Sequence, residues 1–239
     1  GVRSNTALQQ LDLHSCGLDD RGVALLANAL GTRNASILEL NLKYNQITSV
    51  GVRALVDVNV ESVSTLTKLC LSRNPIGGEG ASILADALGR NAMPCLKELE
   101  LAYCEIEDDG FVALVSALVQ NTSLQILDLE HNAFGARGFM ALAESLPTIK
   151  GLLQVEFTAN AAFQSTLPLL LDGFRKNTSL VEVDIDIGGC EPKKWSQELK
   201  FLGMRNRFTP LLKDSDPPDA SPWLSIWSRA LAKVATEPD

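Results

Sequence analysis

The 239-residue sequence contains few of the residues from which enzyme and metal sites are built. Its two histidines, His14 and His131, lie in distant parts of the chain, and no Ser or Cys is placed to complete a nucleophile and base set. Its five cysteines show no CxxC or Cys/His spacing typical of zinc. The glycines form no phosphate-binding fingerprint. We therefore predict that the protein is not an enzyme and has no catalytic residue, metal ligand or cofactor.

Other absences limit where the chain resides and what it binds. No apolar run approaches the roughly 18 residues that a membrane span needs, and no basic then apolar leader opens the sequence. An odd number of cysteines is typical of reduced thiols, so we predict a cytoplasmic, intracellular protein. The net charge of -8 argues against nucleic acid, whose phosphates would be repelled.

The sequence instead contains a repeat. Seven units share one register, L-x-x-L-x-L-x-x-[N/C]-x-L, and successive units start 28 to 30 residues apart. They start at Leu8, Ile37, Leu66, Leu96, Leu124, Leu152 and Leu180. In each unit, alternating apolar residues predict a short strand and helical spacing predicts a following helix. In the first five units a glycine at fixed phase is predicted to begin that helix, namely Gly22, Gly51, Gly80, Gly110 and Gly138.

This pattern resembles the leucine-rich repeats, and its period and helical half resemble the ribonuclease-inhibitor-like subfamily. The resemblance implies an α/β solenoid shaped as a curved horseshoe, with parallel strands on the concave face and helices on the convex face. It covers roughly Gly1 to Phe208, so we expect a solenoid of about seven repeats over residues 1–209. Relatives include ribonuclease inhibitors, activators of a small GTPase and intracellular immune sensors, so the fold leaves the function open.

The last segment, residues 210–239, departs from the repeat. It is expected to form a proline-rich loop and then a helix with Trp223 and Trp227 on one face. That helix either caps the open end of the core or docks a partner, and the sequence leaves both possibilities open.

Asparagines occupy two fixed phases of the repeat. Those at the ninth position, such as Asn45 and Asn132, are predicted to hydrogen-bond the backbone of neighbouring loops, with the thiols of Cys16 and Cys104 as weaker substitutes. Others, such as Asn121 and Asn177, come three residues before a unit and are predicted to end a helix in the left-handed conformation.

The strand positions that point away from the core are acidic in the later repeats. Successive strand residues alternate faces, so the last four units place eight carboxylates and no basic residue on the concave face. These are Glu98, Glu100, Asp128, Glu130, Glu156, Glu182, Asp184 and Asp186. At about 4.8 Å between strands, four of them should form an unpaired column of like charge that a cationic partner would relieve. Tyr44, Arg73, Tyr103 and His131, at a later shared phase, should line the rim.

We therefore predict a non-enzymatic module that binds a basic protein or peptide through this face. Two other interpretations of the acids stay open: a solvated surface, and a site for a hard cation such as Ca²⁺, although no Ca²⁺-binding loop motif supports it. The alternative function is a leucine-rich repeat segment of a larger receptor or scaffold that binds through its convex helices or C-terminal helix. The sequence predicts no oligomeric state.

Overall fold

A computed structural model describes residues 7–31, 37–57, 61–160, 166–185 and 198–207. The strands are β1 (Gln10–Asp12), β2 (Glu39–Asn41), β3 (Lys68–Cys70), β4 (Glu98–Glu100), β5 (Ile126–Asp128), β6 (Gln154–Glu156) and β7 (Glu182–Asp184). The helices are α1 (Asp20–Gly31), α2 (Ser49–Val56), α3 (Gly77–Gly89), α4 (Asp108–Gln120), α5 (Ala136–Ser145) and α6 (Leu167–Lys176). A 3₁₀ turn spans Glu61–Thr65, and a further helix covers 198–207. Asp186, Trp223 and Trp227 lie outside the described residues, as does the predicted segment 210–239.

The seven strands form one parallel sheet in the order β1-β2-β3-β4-β5-β6-β7. Each strand pairs with the next in the register that the repeat predicts, so that Leu40 lies beside Leu69 and Leu99 beside Leu127. The central residue of each strand points into the core, and the residues on either side of it point away. The predicted α/β solenoid with its two distinct faces is confirmed.

Curvature follows from the different widths of the two layers. Neighbouring strands lie about 4.8 Å apart, whereas packed helices need about 8–10 Å between axes. Each helix here packs on the helix of the next repeat, from α1 on α2 through to α5 on α6. The stack therefore bends toward the sheet, which becomes the concave face. No helix in the described part of the chain is long and apolar enough to cross a membrane.

The asparagines of the ninth position connect each repeat to the one before it. The Nδ2 of Asn45 donates to Leu13 O at 2.9 Å and Leu42 O at 2.8 Å, and its Oδ1 accepts from Cys16 N and Leu18 N. Asn132 repeats this set. These bonds confirm the predicted role. At Cys104 the thiol contacts Leu71 O at 3.4 Å in place of the amide, also as predicted.

Asn121 and Asn177 contradict the prediction that they end a helix in the left-handed conformation. Asn121 and Asn177 have φ of -79° and -70° with extended ψ, so neither is left-handed. Both are buried, and each side-chain oxygen accepts the backbone N–H three residues further on, 2.9 Å to Leu124 and 2.8 Å to Leu180. The amide therefore satisfies backbone groups of the turn into the next strand, a role that extended backbone also permits.

The helices begin before the fixed-phase glycine, which corrects the prediction that the glycine begins them. In α4, for example, Asp108 and Asp109 precede Gly110. Asp108 Oδ1 accepts the N–H groups of Gly135 and Gly138, both at 2.8 Å, at the start of α5 in the next repeat. Asp20 does the same for Thr48 and Gly51 at the start of α2. An aspartate in one repeat thus caps the free N–H groups of the following helix.

Four of the eight phenylalanines form one cluster in the core of the fourth to sixth repeats. Phe111 stacks on Phe134 with ring centroids 4.0 Å apart, and Phe139 and Phe157 meet these rings edge to face. All four side chains are buried. Aromatic pairs add about 0.5–1.5 kcal/mol each beyond the area they bury, so these rings strengthen the core of the later repeats.

The fixed-phase glycine is required where adjacent helices approach most closely. A Cβ on Gly110 would lie 2.7 Å from Gly78 Cα and 2.9 Å from Gly78 O, which are backbone atoms that cannot rotate away. We expect Gly110→Ala to lower the free energy of unfolding by about 1–3 kcal/mol, measured by urea denaturation. Gly89→Ala is the control, because a Cβ at Gly89 meets nothing within 4 Å. Equal effects of the two substitutions would contradict the packing argument.

Candidate functional site

The candidate site lies on the concave face, where the outward residues of the later strands are acidic. Strand register places Glu100 beside Asp128, Asp128 beside Glu156, and Glu156 beside Asp184. These four residues, here called the acidic column, are half-buried or exposed. The predicted alignment of like charges along the sheet is therefore present.

The prediction that this column is unpaired is wrong at its first member. Lys68 extends from β3, and its Nζ lies 2.6 Å from both Glu98 Oε1 and Glu100 Oε1. Burial acts to raise the pKa of Glu100, but hydrogen bonds from Cys70 and Lys68 outweigh it and leave that pKa below its ordinary value. Two of the predicted acids therefore share one counter-ion from the chain itself, which offsets one of their two negative charges.

Cys70 contacts the same carboxylate from the neighbouring strand position. Its thiol is buried and donates to Glu100 Oε2 at 2.9 Å. Burial raises the pKa of Cys70 to about 12, and burial does the same for Cys104. Both thiols stay protonated at neutral pH, which makes them poor nucleophiles and poor metal ligands. Among the described residues, no group of three His, Cys, Asp or Glu side chains could hold a metal ion.

The rest of the acidic column has no ion-pair partner among the described residues. Burial and then the charges of Glu100 and Glu130 raise the pKa of Asp128, although a hydrogen bond from Glu130 N and the more distant charge of Lys43 oppose the shift. Burial followed by the charge of Asp128 raises the pKa of Glu156. Carboxylates whose pKa rises are in an environment that disfavours their charge. Asp128 and Glu156 are thus the members of the column that a cation would stabilise, and Asp184 lies beside Glu156 in the next strand.

The rim residues share an unusual backbone conformation. Tyr44, Arg73, Tyr103 and His131, here called the ring ladder, all have φ between 50° and 59°. Each backbone N–H donates to a carbonyl of the next repeat, for example Arg73 N to Ala102 O at 2.7 Å and His131 N to Thr158 O at 2.9 Å. The left-handed conformation costs roughly 1–2 kcal/mol for a non-glycine residue. These hydrogen bonds hold the four side chains in one row at the spacing of the strands.

The ring ladder is stacked along most of its length. The Arg73 guanidinium lies between two rings, with its Cζ 4.8 Å from the Tyr44 centroid and 3.6 Å from the Tyr103 centroid. Tyr103 stacks on His131 at 4.1 Å between centroids and an interplanar angle of 14°. His14 meets the other side of Tyr44 at 5.0 Å. Aromatic rings and a cation thus form one continuous row beside the sheet.

The structure brings the ladder and the acids together at one place. His131 Nε2 lies 3.4 Å from Glu130 Oε1, and the side chain of His131 is 42% exposed. Glu182 and Asp184 lie further along the sheet and are exposed, and Asp186 falls outside the described residues. Sequence reasoning missed Lys68 as a counter-ion and His14 as a neighbour of the ladder. The signal for Lys68 was available, because the register places it directly beside Glu98.

The repeat pattern matches a known family. Residues 4–27, 33–56, 64–85, 92–115 and 120–143 match the family described as Leucine Rich repeat. The chain is a leucine-rich repeat protein. Such repeats form protein–protein interaction modules, so this coarser part of the functional prediction holds.

Relatives of this leucine-rich repeat protein support the predicted subfamily. Ribonuclease inhibitor from Mus musculus is 34% identical over 145 residues, covering 61% of this chain and 31% of the inhibitor. NACHT, LRR and PYD domains-containing protein 2 from Homo sapiens is 34% identical over 142 residues, covering 59% of this chain and 13% of that protein. The chain therefore spans less than a third of either relative. The similarity to the inhibitor confirms the ribonuclease-inhibitor-like type.

A solved structure shares the fold. Leiomodin-1 actin-binding site 2 superposes with a TM-score of 0.56 at 18% identity, covering 64% of this chain and 89% of that one. At this level of identity the likeness concerns the arrangement of strands and helices alone.

Burial and repulsion within the acidic column are expected to lower the stability of the folded chain. Because the pKa of Asp128 is raised in the folded chain, its ionisation favours the unfolded state, and the penalty is complete only above the raised pKa. We expect Asp128→Asn to raise the free energy of unfolding by about 0.5 kcal/mol at neutral pH and low salt. The gain should shrink as the pH falls through the pKa of the carboxyl, as followed by urea denaturation.

Asp12→Asn is the matched control for this experiment. Asp12 Oδ1 accepts His14 N at 2.9 Å, as Asp128 Oδ1 accepts Glu130 N at 2.9 Å, but the strand neighbour of Asp12 is the uncharged Asn41. Asn41 Oδ1 itself accepts Lys43 N, so an amide fits this phase of the repeat. Stabilisation by Asp12→Asn of the same size would show that repulsion between column members is not the cause.

Proposed function

We propose that this protein is a non-enzymatic recognition module that binds a basic protein or peptide through the end of its concave face formed by β5 to β7. The observation that carries the proposal is the contrast along the acidic column. Glu100 has Lys68 as its counter-ion, whereas Asp128, Glu156 and Asp184 have no such partner within the described residues. A partner's lysine or arginine side chains would supply the missing charge.

The net charge of -8 supports the same choice of partner. A cationic surface would be attracted at long range, and the complex would form faster at low salt than at high salt. Nucleic acid would be repelled by the same field. The predicted cytoplasmic location, the absence of catalysis and the division into residues 1–209 and 210–239 stay predictions.

Carboxylates on the strands are expected to control binding of a cationic probe. We propose a titration with fluorescein-labelled octalysine, followed by anisotropy, against the wild-type chain and the variant Asp128→Asn/Glu156→Gln/Asp184→Asn. Each of the three lost charge pairs should reduce the binding free energy by about 0.5 kcal/mol. The variant should therefore bind octalysine roughly tenfold more weakly at low salt. Its affinity should also depend less steeply on salt.

The control variant removes the same charge from the helices. Asp86→Asn/Glu144→Gln/Asp172→Asn neutralises three exposed carboxylates on α3, α5 and α6. Two of them form only exposed pairs within one helix, Asp86 with Arg90 and Asp172 with Lys176, whose loss costs little stability. We expect this variant to bind octalysine within about twofold of wild type. Equal weakening by both variants would mean that net charge, not the concave face, governs binding.

A second candidate is a repeat segment of a longer receptor or scaffold that binds through its convex helices. It is favoured by apolar side chains exposed on those helices, with Leu25 on α1 69%, Val50 on α2 63% and Leu169 on α6 53% exposed. Under this candidate, a bound protein partner would protect amides of α1, α2 and α6 from hydrogen exchange. Protection confined to residues of the strands and the ring ladder would reject it.

A further inference from the structure

The ring ladder stops at His131, although the backbone that carries it continues for one more repeat. Ala159 occupies the next position of the same phase, with φ 55° against 50° for His131. Its side chain is only a methyl group and cannot stack on the His131 ring. Among the described residues, Tyr103 is the only ring in contact with His131, and Glu130 is its only ion-pair neighbour. One position of the ladder is therefore open on a half-exposed aromatic ring.

The occupied part of the ladder indicates what fits such a position. Arg73 lies at the same phase between two rings, 3.6 Å from the Tyr103 centroid and 4.8 Å from that of Tyr44. The chain thus already holds one guanidinium against aromatic faces at the spacing of its strands. A guanidinium is flat and stacks on a ring as an ammonium cannot.

The charges around the open position also match a cation. Glu130 Oε1 lies 3.4 Å from His131 Nε2, and Glu156 belongs to the strand that leads to Ala159. Repulsion from Asp128, Glu130 and Asp184 contributes to the raised pKa of Glu156, so these carboxylates lie close to one another. A guanidinium above Ala159 would contact the ring through its face and the carboxylates through its N–H groups.

We propose that the open face of His131, above Ala159 and beside Glu130 and Glu156, binds an arginine side chain of a protein partner. This inference rests on the proposed function and specifies which cationic residue the partner presents there. The bound arginine extends the ring ladder by one position. A lysine binds more weakly, because it has the charge but lacks the planar group that stacks.

The test is an NMR titration of the full chain with blocked tripeptides, observing the ring signals of its two histidines. The probes are Gly-Arg-Gly, Gly-Lys-Gly and the uncharged citrulline analogue of the first. We expect the arginine peptide to shift the His131 ring signals saturably and to leave those of His14 unchanged. The lysine peptide should bind at least about fivefold more weakly, and the citrulline peptide should cause no saturable shift.

Two variants at one position separate stacking from simple attraction. Ala159→Tyr should fill the open position and abolish the saturable shift, since Tyr44 and Tyr103 adopt the same backbone conformation. Ala159→Ser is the control and should keep the shift, because Ser15 has φ 53° at the same phase of the first repeat. Thermal unfolding monitored by circular dichroism tests whether both variants fold. If Ala159→Tyr does not fold, the double variant Glu130→Gln/Glu156→Gln provides the test. It should bind the arginine peptide at least about threefold more weakly than wild type.

The outcomes distinguish this inference from the proposed function. If octalysine binds the acidic column but the arginine peptide leaves His131 unchanged, the arginine site is wrong and the recognition module stands. Equal binding of arginine and lysine peptides, or equal binding to Ala159→Tyr and Ala159→Ser, also overturns the inference. If neither octalysine nor the arginine peptide binds, both proposals fail.

Discussion

Every feature of this molecule depends on one constraint, the parallel pairing of each strand with its counterpart in the next repeat. The pairing has no offset from β1 to β7, and backbone hydrogen bonds extend it into the turn after each strand. Residues of equal phase therefore lie about 4.8 Å apart, whatever their chemistry. Leucines so aligned form a core, and asparagines form a chain of hydrogen bonds. Carboxylates so aligned repel one another, and rings or guanidinium groups stack.

Much of the fold could be predicted from the sequence because the period alone determines which residues become neighbours. The strand registers, the core leucines and the role of Asn45 and Asn132 all follow from the phase. What the period does not determine is how far a side chain reaches. Lys68 reaches two positions of β4 and forms ion pairs with both Glu98 and Glu100, a contact that depends on the length and rotamer of its side chain. The starts of α2 and α5 were likewise missed, because Asp20 and Asp108 of the previous repeat accept their free N–H groups.

The ring ladder shows how the fold holds side chains in a fixed arrangement. Its four residues adopt the left-handed conformation, which would be unfavourable for each of them alone. Hydrogen bonds to the next repeat and stacking between the side chains offset that cost. Such residues have little freedom left to lose when a partner binds, and a rigid surface loses less entropy on association than a flexible one. The constrained turns therefore make the ring ladder a preorganised edge of the concave face.

Two rows of side chains lose their internal partners in adjacent repeats. In the acidic column, pairing by the chain's own cations ends with Glu100, and Asp128 is the first member without an ion pair among the described residues. In the ring ladder, stacking ends with His131, three residues after Asp128. One row lacks a positive charge and the other lacks a flat group, and a guanidinium provides both. Under the proposed function, one arginine side chain of a partner would therefore serve both rows at this end of the concave face.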